Sequence, residues 1–325
     1  MRVVVSGGSG FVGSHLCEAL IRRGDMVSCL DDFSSGRPEN IAHLLREARF
    51  QCTPCDVTEE VKVSGKVDAV MHLASPASPF DYYRHPLETL AVGSRGTENM
   101  LRLAVRNDAR FVLASTSEIY GDPLEHPQTE DYWGHVNPIG PRSVYDEAKR
   151  FSEALTMAYR RSLSADIAIA RIFNTYGPRM RPHDGRVVSS FIRQALDGEA
   201  LTVFGDGSQT RSFCYVDDLV RGLVALLDSP HPGPFNLGNP KEWTVRQLAE
   251  LVTLVTHSSS ELRFLPLPVD DPARRRPVIT RARESLGWNP QVPLEEGLRH
   301  TVDWFASQSQ TLVRPPERSA AGRPS

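Results

Sequence analysis

Lysine is scarce in this chain. Of 37 basic residues only four, Lys62, Lys66, Lys149 and Lys241, are lysine, so a lysine inside a patterned segment draws notice. No apolar run reaches the roughly 20 residues a membrane-spanning helix needs. No basic leader with an apolar centre and cleavage site precedes the first strand, because MRVVVSGG runs straight into a glycine turn. A cytoplasmic protein with no membrane partner is expected. The net charge of −3 is too small to recommend a nucleic-acid partner. Cysteines number five, at 17, 29, 52, 55 and 214. The Cys52–Cys55 pair has no second pair to complete a zinc site. It also ends a predicted strand, whereas redox pairs open helices. No metal is expected, and no internal repeat is visible.

The 325 residues, 40% hydrophobic and 24% charged, suit a globular protein with two cores. Apolar strand patterns (RVVVS, MVSCLD, FQCTPCDV, AVMHLAS, RFVLAST and ADIAIARIF) alternate with helical ones. The helical patterns include GSHLCEALIRRG, LETLAVGSRGTENMLRLAVRN and VYDEAKRFSEALTMAYRRS. This alternation predicts an α/β fold, a Rossmann-type doubly wound parallel sheet with helices on both faces. After about residue 175 the pattern turns irregular and rich in Pro and Gly, which predicts a smaller mixed C-terminal domain over the sheet's carboxyl edge. The expected division is a nucleotide domain of residues 1–172 with about 213–240, and a substrate domain of 173–212 and 241–310. Residues 311–325 have no apolar period and are expected to form a disordered tail.

SGGSGFVGSHL sets Gly7, Gly10 and Gly13 between a strand and a helix. Such glycines allow a tight turn, close approach of a pyrophosphate and close helix–strand packing. Phe11 and Val12 lie in the same turn. Asp31 ends the next strand, where a carboxylate accepts ribose hydroxyls and repels a 2′-phosphate, so NAD is expected rather than NADP. Asp56 and Val57 follow the third strand and could flank the adenine. Leu73 and Ala74, after the fourth, complete the predicted cofactor set.

Tyr145 and Lys149 lie four apart in SVYDEAKRF and share a helix face. A tyrosine with pKa of about 10 is a weak base unless a nearby cation stabilises its phenolate. ASTSEIYGD places Thr116 and Glu118 at the end of the fifth strand, the edge at which open α/β sheets bind ligands. Asn174 and Arg179, after the sixth strand, face the same edge.

GGSGFVG, STSEIYG and YDEAK together resemble the extended short-chain dehydrogenase/reductase family. HLASPASP, TEDYWGHVNPIGPRSVYDEAKR, ARIFNTYGPRM, LTVFGDGSQTRSF and DDPARRRP narrow the resemblance to the UDP-glucuronate decarboxylases, or UDP-xylose synthases. The resemblance implies that bound NAD oxidises C4 of the sugar, that CO2 is lost from the resulting β-keto acid, and that C4 is re-reduced after C5 protonation. It assigns Tyr145 as base, Thr116 as its partner on the C4 oxygen, Lys149 as the tuning cation and Glu118 to the ring chemistry. It brings Arg211 and Arg275 to the UDP phosphates, with Arg275 also near the sugar carboxylate. Val188, Leu201, Val203 and Phe204 would border the uracil. Related 4,6-dehydratases follow the threonine with Asp and Glu, whereas this chain has Ser117, too weak an acid to protonate a departing hydroxyl. The 4-epimerases usually lack an acid at this point, which argues against that alternative. A homodimer through the helices of residues 86–106 and 143–162 is also implied. One departure is Gly93, where the family carries an asparagine. A glycine inside a helix should cost about 1 kcal/mol relative to alanine.

Overall fold

The computed structural model describes residues 1–266 and 274–313. Seven parallel strands form its centre: β1 (Arg2–Ser6), β2 (Met26–Asp31), β3 (Phe50–Pro54), β4 (Ala69–His72), β5 (Arg110–Thr116), β6 (Ile167–Ile172) and, after four short strands elsewhere, β11 (Phe235–Leu237). Their order is β11-β6-β5-β4-β1-β2-β3. Strands covered on both faces read as continuous apolar runs rather than alternating ones, and Val3, Val4 and Val5 of β1 are all fully buried. The six strand patterns in the sequence form six of these strands. The seventh, β11, has only three residues, too few to leave a period.

The chain builds outward from β1 to β3, then returns to lay β4 on the other side of β1. That reversal opens a crevice at the carboxyl ends of β1 and β4, the usual ligand position in such sheets. Flanking helices are α1 (Phe11–Arg23), α2 (Pro79–Arg84), α3 (Pro86–Ala91), α4 (Thr97–Asn107) and α5 (Ser143–Leu163). Further along are α6 (Val187–Leu196), α7 (Val216–Asp228), α8 (Val245–Thr256), α9 (Thr280–Leu286) and α10 (Leu294–Val313). None of the described helices is long and apolar enough to cross a membrane.

The irregular part forms three small sheets. β7 (Thr175–Tyr176) pairs with β10 (Cys214–Tyr215), and β8 (Leu201–Phe204) with β13 (Leu262–Leu265). β9 (Thr210–Ser212) lies between β12 (Glu242–Thr244) and β14 (Arg274–Arg275). The helix α10 continues to Val313, past the expected start of the tail at Thr311. Residues 314–325 of the expected tail lie outside the described residues.

The segment around Gly93 corrects the sequence expectation. It is not one regular helix with a weak point: α3 and α4 are joined through a π-helical turn, Val92–Gly96. A β-carbon on Gly93 would lie 2.7 Å from Ala148 Cβ and 2.9 Å from the Ala148 carbonyl oxygen. Ser152 Oγ donates to the Gly93 carbonyl at 2.7 Å. The glycine therefore lets the π-turn rest directly on α5, beside Lys149, and the packing outweighs the propensity cost. Gly93→Ala is expected to lower unfolding stability by about 1–3 kcal/mol, the usual cost of overpacking, despite alanine's higher helix propensity. Chemical denaturation checks this, and an unchanged or raised midpoint would contradict it.

Candidate active site

A cavity of about 1050 Å³ lies at the carboxyl edge of the sheet. It exceeds the roughly 300–1,000 Å³ of ordinary small-molecule sites, room for a cofactor and a substrate together. One end is the glycine turn. Gly7 has φ +72°, and a β-carbon there would sit 2.7 Å from the Ala74 backbone nitrogen, so only glycine fits. Gly10, Phe11, Val12, Gly13, Leu73 and Ala74 line this end with it. Asp31 is buried there; its carboxylate accepts from Ser9 N at 2.8 Å and Phe33 N at 2.9 Å. Those bonds fix the carboxylate, and its remaining lone pairs are available to hydroxyl donors. Asp56 and Val57 line the neighbouring wall. Turn, carboxylate and apolar wall fit a dinucleotide.

The reacting end is built by β5 and α5. Tyr145 and Lys149 are both buried and line the cavity. Lys149 Nζ donates to the Ala114 carbonyl at 2.9 Å and lies 6.0 Å from the Tyr145 ring centroid. Burial pushes the phenol up to about 12, against the hydrogen bond it shares with Thr116. Burial likewise pushes the Lys149 ammonium down to about 8, with Glu153 opposing. The Thr116 hydroxyl also accepts from Glu118 N at 3.2 Å and so caps the turn Ser117–Tyr120. Tyr82 stacks on Tyr145 with centroids 5.3 Å apart and planes 10° apart.

Glu118 sits between two guanidinium groups. Arg142 Nη2 contacts its Oε2 at 2.6 Å, and Arg275 Nη1 contacts its Oε1. Arg275 also donates to the Gly121 carbonyl at 3.2 Å. Burial alone would raise the Glu118 carboxyl, but Arg275 and Arg142 outweigh it and hold it well below the usual carboxylate range. Asp146, beside this cluster, moves the other way, raised by burial first and then by the charge of Glu118. Behind the turn, Ser115 donates to Glu153 Oε1 at 2.6 Å, and Arg171 holds both Glu153 oxygens and the Tyr120 hydroxyl. Tyr120 in turn donates to Asn236 of β11 at 2.7 Å. This buried network, satisfied at each of these links, fixes the strand end that carries Thr116 and Glu118.

Asn174, Arg179, Val188, Phe204, Arg211 and Arg275 also line the cavity. Arg211 and Arg275 are register partners on the neighbouring strands β9 and β14, and both line the cavity. Arg179 pairs with Glu18 of α1, with a backbone φ of +70°. Leu201 and Val203 are corrected: both are fully buried in the core and do not line the cavity. Side chains alternate along β8, so Thr202 and Phe204 reach the cavity instead. The sequence reading missed Arg142, Tyr82 and Asp146. Arg142 stands three residues before Tyr145, a spacing that could have flagged it; Tyr82 comes from a short helix with no periodic signal. Cys52 lies 3.5 Å from Cys29, its register partner on β2, and all five cysteines are free thiols.

A buried Tyr–Lys pair at a glycine-turn cavity defines the class of dinucleotide-dependent enzymes built on this sheet. Comparison with known proteins narrows it. The sequence profile of the NAD dependent epimerase/dehydratase family matches residues 3–238, and the chain belongs to that family. It is 54% identical over 308 residues to UDP-glucuronic acid decarboxylase 1 of Arabidopsis thaliana, covering 95% of this chain and 70% of the relative. It is 51% identical over 330 residues to UDP-glucuronic acid decarboxylase 1 of Danio rerio, covering 99% and 78%. Among solved structures, the UDP-glucose 4-epimerase of Thermotoga maritima with UDP-glucose superposes with a TM-score of 0.88 at 30% identity, covering 95% of this chain and 100% of that one. The UDP-glucuronic acid 4-epimerase of Bacillus cereus, with UDP-glucuronic acid and NAD, gives 0.84 at 28% identity, with coverage of 95% and 100%.

The buried ammonium of Lys149 should destabilise the free protein. Its folded pKa of about 8 lies below its ordinary 10.5, so the penalty is complete below pH 8 and disappears as pH rises through 10.5. Lys149→Met is therefore expected to be more stable than the parent by roughly 2 kcal/mol at pH 7, with the gap closing toward pH 10.5. Thermal unfolding across that range checks it; a gap that widens with pH would contradict it.

Proposed function

We propose that this chain is an NAD-dependent UDP-glucuronate decarboxylase, converting UDP-glucuronate to UDP-xylose and CO2. The observation that carries this reading is the Thr116–Ser117–Glu118 turn beside Tyr145, with Glu118 paired to Arg142 and Arg275. The half-identical relatives named as decarboxylases support it. NAD, held by the glycine turn and Asp31, supplies hydride acceptance and return at C4. Tyr145 takes the C4 hydroxyl proton while Thr116 holds the same oxygen, and the Lys149 ammonium favours the phenolate. The C4 ketone lies β to the carboxylate, so the electrons of the C5–C6 bond flow onto O4 as CO2 leaves. Thr116 and the protonated Tyr145 face that oxygen and stabilise the enolate. Glu118 serves the ring during protonation at C5, and Tyr145 returns its proton to O4.

Arg211 and Arg275 bind the diphosphate, which guanidinium suits because it can grip two oxygens at once. Asn174 and Arg179 bind the nucleotide sugar, and Val188 and Phe204 border the uracil. Residues 1–172 with 213–240 thus hold the cofactor, and 173–212 with 241–310 hold the UDP-sugar. Ser117 lies where a dehydratase needs an acid, so the C6 carbon departs as CO2 rather than losing a hydroxyl. The five free thiols suit a reducing, cytoplasmic location, which cell fractionation tests.

Purified protein supplied with NAD and UDP-glucuronate is expected to release CO2 and form UDP-xylose by NMR, with Tyr145→Phe slower by about 10²–10⁴-fold. UDP-galacturonate without CO2 would instead make it a 4-epimerase. A homodimer through α3 to α5 belongs to the same reading, supported by exposed Leu87 (75%), Leu90 (39%) and Phe151 (51%) on α3 and α5. Light scattering is expected to give twice the 36.1 kDa chain mass, reduced to one by Leu87→Glu with Phe151→Glu. A monomeric parent would contradict the dimer.

A further inference from the structure

Two guanidinium groups on one carboxylate leave an unbalanced charge. Arg142 and Arg275 each contact a different oxygen of Glu118, and all three line the cavity. Their side chains are only 17%, 4% and 16% exposed, respectively. Two cations and one anion in a desolvated pocket form a site that accepts a second anion. The other carboxyl in the cluster is Asp146, whose Oδ1 has no hydrogen-bond partner and whose protonated form is favoured by burial and by Glu118. With its carboxyl raised to about 7, it cancels the surplus only in part near neutral pH. The Nε of Arg275 is also buried with no partner, so the clamp is not saturated by what it holds.

We propose that Arg142 and Arg275 form a carboxylate-exchange clamp, in which the C6 carboxylate of the substrate displaces Glu118 and Glu118 retakes the clamp when CO2 departs. This rests on the decarboxylase reading of the same cavity and adds two things to it. Arg142 becomes a determinant of specificity for sugars carrying an acid at C6. Glu118 becomes the internal occupant of the acid's place, free to turn toward the ring only while substrate is bound. The exchange also answers a difficulty of decarboxylation: a cation that holds the carboxylate stabilises the ground state and opposes CO2 loss. Here each contact the substrate gives up is remade with Glu118, so the guanidiniums are never left bare.

The test is calorimetric binding to NAD-loaded protein in the Tyr145→Phe background, which prevents turnover. UDP-glucuronate is compared with UDP-xylose, which lacks the C6 carboxylate. Arg142→Met is expected to weaken UDP-glucuronate at least tenfold and leave UDP-xylose within about twofold. Arg142→Lys should recover part of the loss. Glu118→Gln is expected to tighten UDP-glucuronate severalfold, because the competing charge is gone, while UDP-xylose is unaffected. Equal weakening of both ligands by Arg142→Met, or weaker UDP-glucuronate binding to Glu118→Gln, would overturn the clamp. Unfolding midpoints of each variant separate misfolding from lost recognition, and Glu118→Gln keeps the test decisive if Arg142→Met is unstable. The proposed reaction fails differently: the parent enzyme would then release no CO2 from bound UDP-glucuronate, whatever the variants bind.

Discussion

A single carboxylate between two buried guanidiniums organises this end of the molecule. Desolvating such charges costs several kcal/mol per ion, and only good geometry with further hydrogen bonds offsets it. The fold supplies that geometry from three separate places. Glu118 comes from the turn capped by Thr116 at the end of β5. Arg142 precedes the helix of Tyr145 and Lys149, and Arg275 arrives on β14, 157 residues away from Glu118 in sequence. The pairing of β14 with β9 therefore has a chemical consequence: it sets Arg275 beside Arg211 and against Glu118.

The neighbouring Tyr145 and Lys149 are held where burial disfavours the charged form of each, so the free protein keeps the phenol protonated and carries the ammonium at a cost. Local strain of this kind is common where a site is prepared for a charged ligand and the surrounding structure sustains it. What sustains it is the network from Ser115 through Glu153, Arg171 and Tyr120 to Asn236, which crosses β5, α5, β6 and β11. The close rest of Gly93 on Ala148 does the same for α5 from the opposite side.

The sheet and the cofactor end were legible in the sequence because their signals are local. RVVVS, the glycine turn and Asp31 lie within the first 31 residues and each obeys a short-range rule. Tyr145 with Lys149 was legible for the same reason. The three-residue β11 was not, since it carries no period of its own and is a strand only through β6. Leu201 and Val203 were placed on the wrong side because the apolar text LTVF conceals an alternation that only the pairing of β8 with β13 fixes. Gly93 read as a helix defect because its neighbour, Ala148, is far away along the chain. Arg142 was lost among many arginines, and its meaning appears only when Arg275 and Glu118 are brought to it.

The most direct measurement is a titration of the Glu118 side-chain carboxyl by carbon NMR in the free protein, assigned with Glu118→Gln. The two guanidiniums require it to stay ionised well below the ordinary glutamate value of about 4.3. A midpoint at or above that value would contradict the account, because the carboxylate would then not be clamped between Arg142 and Arg275.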